Sequence, residues 1–233
     1  MEPSEKFAVE TLFNDVAPTY DYLNDLLSLG LHRVWKRKLL KLVCPTPGEH
    51  WIDICCGTGD LSFALAEKIK PNGSVLAIDN AEKTLLIARD KALGRKRLPI
   101  SFEKIDALNT NLPSNTFDGG VMSYGLRNLV NPAQGLRELH RLLKPSARAG
   151  ILDFNPLMKE TMQGQFQRIY LRRVVVPLAA KYGLKEHYQY LEESLKSFPS
   201  GEKQEELAIG AGFSIAKHHP FAFGQMGLLL LVA

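Results

Sequence analysis

Trp51-Ile52-Asp53-Ile54-Cys55-Cys56-Gly57-Thr58-Gly59-Asp60-Leu61 reads as an apolar strand that runs into a glycine turn and then opens a helix. Glycines at such a turn let the backbone approach a ligand, and the helix that follows presents free amide donors. Outward from this stretch, short apolar runs alternate with helical patterns from Gly48 to Asn155, the signature of a parallel sheet with crossover helices. The runs predict strands over 50–54, 74–78, 99–104, 117–123 and 149–154, and helices over about 60–69, 81–92 and 132–143. Asn131 as N-cap and Pro132 at the first helical position open the last helix, and Lys144-Pro145 is read as its end. Two apolar runs, 213–217 and 227–233, add strands joined by a loop holding Pro220 and Gly224. The sum is an α/β, Rossmann-like sheet of seven strands, mostly parallel with the last antiparallel.

The flanking regions break this alternation. Residues 1–43 read as helical, and 31–42 form a basic amphipathic helix. Its periodicity places Leu31, Val34, Trp35 and Leu42 on one side and Arg33, Lys36, Arg37, Lys38 and Lys41 largely on the other. Residues 156–200 read as a helical lid, with an apolar patch over Val174–Ala180 behind Arg172-Arg173. The expected organisation is one domain over 1–233: an N-terminal helical region (1–43), a binding core (44–155), the lid (156–200), and a final helix with strands (201–233).

Composition narrows the function. The chain has 233 residues, 45% hydrophobic and 23% charged, which is ordinary globular usage and excludes disorder and coiled coil. Cys44, Cys55 and Cys56 are too few and too poorly placed for a disulfide framework, so a reducing, cytoplasmic setting is expected. No signal segment or membrane-spanning run is visible. The net charge of +4 permits contact with an anionic surface without requiring it. The cysteines and six histidines are not at paired ligand spacings, so no metal is expected.

The turn itself selects a cofactor. A dinucleotide reader wants Gly-x-Gly-x-x-Gly, whereas Gly57-x-Gly59 is followed three residues on by Ser62, and acids stand at Asp53 and Asp60. Two carboxylates would repel a pyrophosphate, while they attract the ammonium and sulfonium of S-adenosylmethionine. Asp79 lies twenty residues beyond Gly59, where a carboxylate accepts ribose hydroxyls. Asp53, Gly57, Gly59 and Asp79 are thus candidate cofactor residues.

The turn resembles the first motif of class I methyltransferases, and longer runs are similar to the ubiquinone/menaquinone biosynthesis C-methyltransferase family. The runs are Val16 to Asp25, Leu29-Gly30-Leu31-His32-Arg33-Val34-Trp35-Lys36, Ser123-Tyr124-Gly125-Leu126-Arg127-Asn128 and Leu142-Leu143-Lys144-Pro145. Residues 170–199 look most like the cyanobacterial and plastid branch that methylates a 2-phytyl-1,4-naphthoquinone. The resemblance implies cofactor contacts at Thr58, Asp79, Asp106-Ala107 and Ser123. It implies an S-adenosylmethionine-dependent enzyme that methylates a ring carbon of a prenylated naphthoquinol and leaves S-adenosylhomocysteine. A benzoquinol acceptor is the alternative. Arg127, just past the fourth strand, is the candidate for stabilising a phenolate; Tyr20, Tyr22 and His32 are candidates for hydrogen-bonding the quinol oxygens. The competing reading for Arg127 is an ion pair with a structural acid such as Asp25. One departure is Cys55, which stands where the class pattern often has a glycine. Cys55 and Cys56 are read as packing residues and His140 as structural.

A prenyl tail would give the outlying regions roles, the lid as tail channel and the basic helix as a peripheral membrane contact. The oligomeric state is left open, a homodimer included. Nucleic-acid methylation is disfavoured because Ser123-Tyr124-Gly125-Leu126 replaces the Asn/Asp-Pro-Pro-aromatic grip on a flipped base, and Cys44-Pro45 reverses a Pro-Cys nucleophile. A dinucleotide oxidoreductase and a non-catalytic scaffold are disfavoured by the acidic turn and by its intact residues.

Overall fold

A computed structural model describes residues 25, 28, 30–95, 98–156, 173, 194–195, 197–222 and 224–233. Seven strands form one sheet: β1 (His50–Ile54), β2 (Ser74–Asp79), β3 (Ile100–Lys104), β4 (Phe117–Ser123), β5 (Leu143–Phe154), β6 (Ile215–Phe221) and β7 (Met226–Val232). Their order is β3-β2-β1-β4-β5-β7-β6, with β1 to β5 parallel and β7 antiparallel to both β5 and β6. The helices are α1 (Leu31–Val43), α2 (Asp60–Ile69), α3 (Glu82–Leu93), α4 (Pro132–Leu142) and α5 (Gly201–Gly210), with a 3-10 turn at Leu126–Asn128.

Why β1 is central follows from its residues. Trp51, Ile52, Asp53 and Ile54 are all buried, so both faces of the strand are covered. One face joins Ile52, Ile54, Met122 and Ile151 with α4 and α5; the other joins Trp51, Val121 and Leu152 with α1 and α2. α1 reaches β5 because position 150 is glycine: a Cβ there would stand 2.5 Å from both Leu39 Cδ1 and Val43 Cγ1. That contact sets the helix rotation and corrects the face read from its sequence. His32, Leu39, Leu40 and Val43 point inward, while Leu31, Val34 and Leu42 are 46%, 50% and 45% exposed.

Two prolines behave differently from the sequence reading. α4 does open on Asn131, whose Oδ1 accepts from Gln134 N at 3.0 Å, with Pro132 at the first position. It closes at Leu142, just before Lys144-Pro145 as read, but β5 starts immediately at Leu143 rather than at Ala149, so that pair lies within a strand. Pro145 is accommodated because the β4–β5 register slips between Phe117↔Leu143 and Gly119↔Arg148, leaving no ladder bond for its missing N–H to make. Pro220 lies in β6 rather than in a loop; β6 is an edge strand, where a missing donor is tolerated. Its register also sends His218 and His219 to opposite faces. His140 packs edge-on against Phe213 with centroids 5.0 Å apart, a packing position.

Candidate active site

The carboxyl ends of β1, β2, β3 and β4 converge on one cavity of about 810 Å³, counted with its open mouth. Strand order reverses between β1 and β4, and the crevice at such a switch point is where open α/β sheets bind ligands. The chain after β1 contributes Cys55 and Gly57, that after β2 Asp79 to Ala81, that after β3 Ile105 to Leu108, and that after β4 Ser123 to Gly125. Of the eight residues expected to bind cofactor, Gly57, Asp79, Asp106, Ala107 and Ser123 line this cavity. Asp53, Thr58 and Gly59 lie behind the wall.

Asp79 braces the turn. Its Oδ2 accepts from Gly57 N at 2.8 Å and its Oδ1 from Ala81 N at 2.9 Å, which fixes the carboxylate at the cavity edge. A carboxylate on the cavity lining is an acceptor of the kind that a ribose diol donates to. Asp106 Oδ1 caps its own turn, accepting from Leu108 N at 3.0 Å, while the residue also faces the cavity. Ser123 Oγ is shielded from solvent and has no hydrogen-bond partner. Gly59 serves the turn sterically: its φ is 83°, and a Cβ would stand 3.0 Å from Phe102 Cε1. Thr58 is buried at 2% exposure.

Asp53 is 1% exposed within β1. Ser62 Oγ donates to its Oδ2 at 2.5 Å, and its Oδ1 has no partner. Burial pushes the Asp53 carboxyl up to about 7, opposed by the Ser62 hydrogen bond and the Lys36 charge. Asp60 does not add a second free charge to the turn as its sequence position suggested. Lys36 Nζ lies 3.5 Å from one of its oxygens and Lys91 Nζ 3.4 Å from the other. The repulsion of a pyrophosphate expected from Asp60 is thereby weakened.

The candidate catalytic residues are placed apart from the cavity wall or outside the described chain. Tyr20, Tyr22 and the lid patch 174–180 lie outside the described residues. His32 is 2% exposed, with Nδ1 2.8 Å from Ser28 Oγ and 3.7 Å from Asp25 Oδ1, and burial lowers its pKa. Arg127 is held by a structural acid, but the acid is Asp153 rather than Asp25, which pairs instead with Arg33 at 2.6 Å. Arg127 N donates to Asp153 Oδ2 at 3.1 Å, its Nε lies 3.5 Å from Oδ1, and Nη1 donates to Ser194 Oγ. Asp153 is 3% exposed, and burial raises its pKa while Arg127 lowers it. The guanidinium is thus tied to Asp153 at the end of β5 and to Ser194, and Arg127 is not among the residues lining the cavity.

Several wall residues had no sequence signal of their own. Asn128 donates from Nδ2 to Tyr124 O at 2.8 Å and clamps the 3-10 turn beside the cavity. Leu129 and Val130 add apolar wall, suited to the flat face of an adenine. Cys55 lines the cavity at a φ of 57°, the left-handed backbone that its place in a glycine pattern demands, and burial pushes its thiol up, away from reactivity. Two acids at the rim, Asp79 and Asp106, an apolar slot and the unpartnered Ser123 Oγ fit an adenosine. Among the described residues no group of three His, Cys, Asp or Glu forms a metal site, and no helix is long and apolar enough to cross a membrane.

Comparisons with known proteins agree with this chemistry. The model of the ubiE/COQ5 methyltransferase family matches residues 1–230. A protein of Synechococcus elongatus named 2-phytyl-1,4-naphtoquinone methyltransferase is 45% identical over 231 residues, 97% of each chain. A chloroplastic 2-phytyl-1,4-beta-naphthoquinone methyltransferase of Arabidopsis thaliana is 39% identical over 222 residues, 94% of this chain and 85% of that one. In structure, a SAM dependent methyltransferase from Aquifex aeolicus superposes with a TM-score of 0.62 at 21% identity, covering 84% of this chain and 88% of that one. Phosphoethanolamine N-methyltransferase 2 of Haemonchus contortus, in complex with S-adenosyl-L-methionine, gives 0.65 at 14% identity, covering 85% and 52%. At these identities the two structures speak for the fold alone.

Proposed function

The chain belongs to the ubiE/COQ5 methyltransferase family, and we propose that it transfers the methyl group of S-adenosylmethionine to a ring carbon of a prenylated naphthoquinol in phylloquinone or menaquinone synthesis. The observation that carries the donor is the cavity at the β1/β4 switch, where Asp79 holds the glycine turn and faces a ribose site. The acceptor is supported by the names of the full-length relatives. The bound donor supplies an electrophilic methyl on sulfonium, and the chain positions it: Asp79 at the ribose, Asp106 and Ala107 at the adenine, Ser123 at the open side of β4.

Carbon attack on that methyl needs an electron-rich ring, which a quinone is not. The substrate is therefore the quinol, whose hydroxyl loses a proton so that the phenolate pushes density onto the adjacent carbon. That carbon forms the new C–C bond as the S–CH3 bond breaks, and its own hydrogen then leaves as a proton to restore the aromatic ring. Most of the acceleration is positioning, with charge stabilisation at the phenolate. Arg127 cannot act as the base, because guanidinium stays protonated, but it can stabilise the phenolate or orient a water that takes the proton. Its Asp153 pair then fixes where that positive charge stands. Tyr20, Tyr22 and His32 remain the candidates for gripping the quinol oxygens.

A bilayer-held tail accounts for the outer face of α1, where Leu31, Val34 and Leu42 are exposed among Arg37, Lys38 and Lys41. Apolar side chains interleaved with lysines suit the interface of an anionic membrane, and the protein acts there as a peripheral enzyme. Labelled methyl transfer tests the acceptor. With 2-phytyl-1,4-naphthoquinol and a prenylated benzoquinol offered in parallel, the naphthoquinol is expected to be the better substrate by kcat/KM. Preference for the benzoquinol would reassign the ring.

A further inference from the structure

The loop that leaves β3 carries Asp106, Ala107 and Leu108 on the cavity wall, and it has no helix or strand of its own to hold it there. Its bracing comes from α4, none of whose residues lines the cavity. Glu138 projects from α4 into the loop and is 7% exposed. Its Oε1 accepts from Thr110 N at 3.0 Å and from Thr110 Oγ1 at 2.6 Å. Arg141, one turn on, donates to both oxygens of Glu138, from Nε at 2.9 Å and from Nη2 at 2.7 Å. The same guanidinium reaches further along the loop, donating from Nη1 to Leu112 O at 2.8 Å and to Ser114 Oγ at 2.9 Å. Gln134, one turn before Glu138, donates from Nε2 to Leu108 O at 3.3 Å. The Arg141 and Thr110 hydrogen bonds hold the Glu138 carboxyl down at about 2, so it is charged at neutral pH.

A carboxylate withdrawn from water costs desolvation that an apolar side chain on α4 would avoid. What it returns here is a fixed place for a loop whose backbone has few partners in the sheet. The place is passed on to the wall through two short links: Leu108 N donates to Asp106 Oδ1 at 3.0 Å, and Asn109 N donates to Asp106 O at 3.1 Å. A shift of Thr110 therefore reaches Asp106 within four residues. We propose that Glu138 is a positioning residue for adenine recognition: through Thr110, and with Arg141, it sets the loop so that Asp106 accepts from the adenine amino group while Ala107 and Leu108 wall the ring. This rests on S-adenosylmethionine being the donor and on Asp106 standing at its adenine. The assignment gives the charged pair on α4 a role in the choice of base, exerted from behind the wall.

Calorimetric titration with S-adenosylhomocysteine and with S-inosylhomocysteine, in which a carbonyl oxygen replaces the adenine amino group, tests it. The unaltered protein is expected to bind S-adenosylhomocysteine about tenfold tighter or more. Glu138→Gln keeps the size of the side chain and removes its charge. It is expected to weaken S-adenosylhomocysteine about 5- to 20-fold and leave S-inosylhomocysteine within about twofold, so that the discrimination between the bases shrinks. A merely structural role would weaken both ligands alike, and that result, or no weakening of either, would overturn the proposal. Arg141→Lys keeps the charge and loses the fork, and it is expected to narrow the discrimination in the same direction to a smaller extent. It decides should Glu138→Gln fail to fold, and unchanged discrimination there would overturn the proposal. Equal affinity of the unaltered protein for the two ligands would overturn this inference and leave the donor reading standing. Absence of any S-adenosylhomocysteine binding would overturn both.

Discussion

The side chain of Cys55 occupies the space that any side chain at Gly125 would need: a Cβ on Gly125 would lie 2.6 Å from Cys55 Cβ and 3.0 Å from its Sγ. The two residues follow β1 and β4, the strands that meet at the switch point, and both line the cavity there. Gly125→Ala is expected to lower stability by about 1–3 kcal/mol through overpacking. Cys55→Gly in the same chain should return part of that loss, because Met122 Cγ, 2.8 Å from the added methyl, must still move. A denaturant double-mutant cycle reads the coupling, expected at about 0.5 kcal/mol or more in the favourable direction. Strict additivity would mean that the two positions do not share space.

Asp53 makes stability depend on pH in a direction opposite to that of a salt-bridged carboxylate. Its folded pKa is raised from 3.8 to about 7, so between those values the folded chain holds a proton that the unfolded chain has lost. Stability therefore falls as pH rises from about 4 to about 7 and levels off above, by no more than about 4 kcal/mol. Asp53→Asn removes this term. Unfolding at pH 5 and pH 8 is expected to show the variant gaining on the parent chain at the higher pH. A constant difference between the two would contradict the burial of an ionisable Asp53.

The Arg127–Asp153 pair predicts a stability effect that must be separated from any catalytic one. Truncation to Arg127→Ala leaves Asp153 buried without its counter-charge and is expected to cost about 3–5 kcal/mol. Adding Asp153→Asn should restore part of that stability while leaving methyl transfer lost. Thermal unfolding and turnover measured on the same samples separate the outcomes: activity that returns with stability would make Arg127 a structural residue only.

Legibility from sequence was uneven, for physical reasons. Local signals carried the strands: Trp51 to Ile54 and Phe117 to Ser123 are short, mostly apolar runs between turn signals, and Asn131-Pro132 opens α4 as caps do. What failed depended on partners far along the chain. Pro145 stands after the end of α4 as read, but its place inside β5 shows only once the slipped β4–β5 register is known, and Pro220 reads as loop until β6 is known to be an edge. The inward side of α1 was mistaken because its hydrophobic stripe is imperfect and Gly150 on β5 decides the rotation. Asp79 and Asp106 were legible because they follow strands directly. Asp153 and Lys36 were not, since nothing local links them to Arg127 or to the glycine turn.

Exposed apolar residues on α1 give the membrane reading its own test. Leu31→Asn with Val34→Asn is expected to reduce binding to phosphatidylglycerol-containing vesicles severalfold, with little change in Tm because both side chains are about half exposed. Cosedimentation checks this. Unchanged binding would move the membrane contact to another face.

The most direct measurement is methyl transfer from labelled S-adenosylmethionine to 2-phytyl-1,4-naphthoquinone in detergent, with and without a reductant, the product identified by mass. The account predicts a product one methyl heavier, carried on a ring carbon and formed only on the reduced substrate. Methylation at equal rates on the oxidised quinone would contradict the phenolate mechanism, and none on either form, with S-adenosylhomocysteine still bound, would contradict the naphthoquinol acceptor.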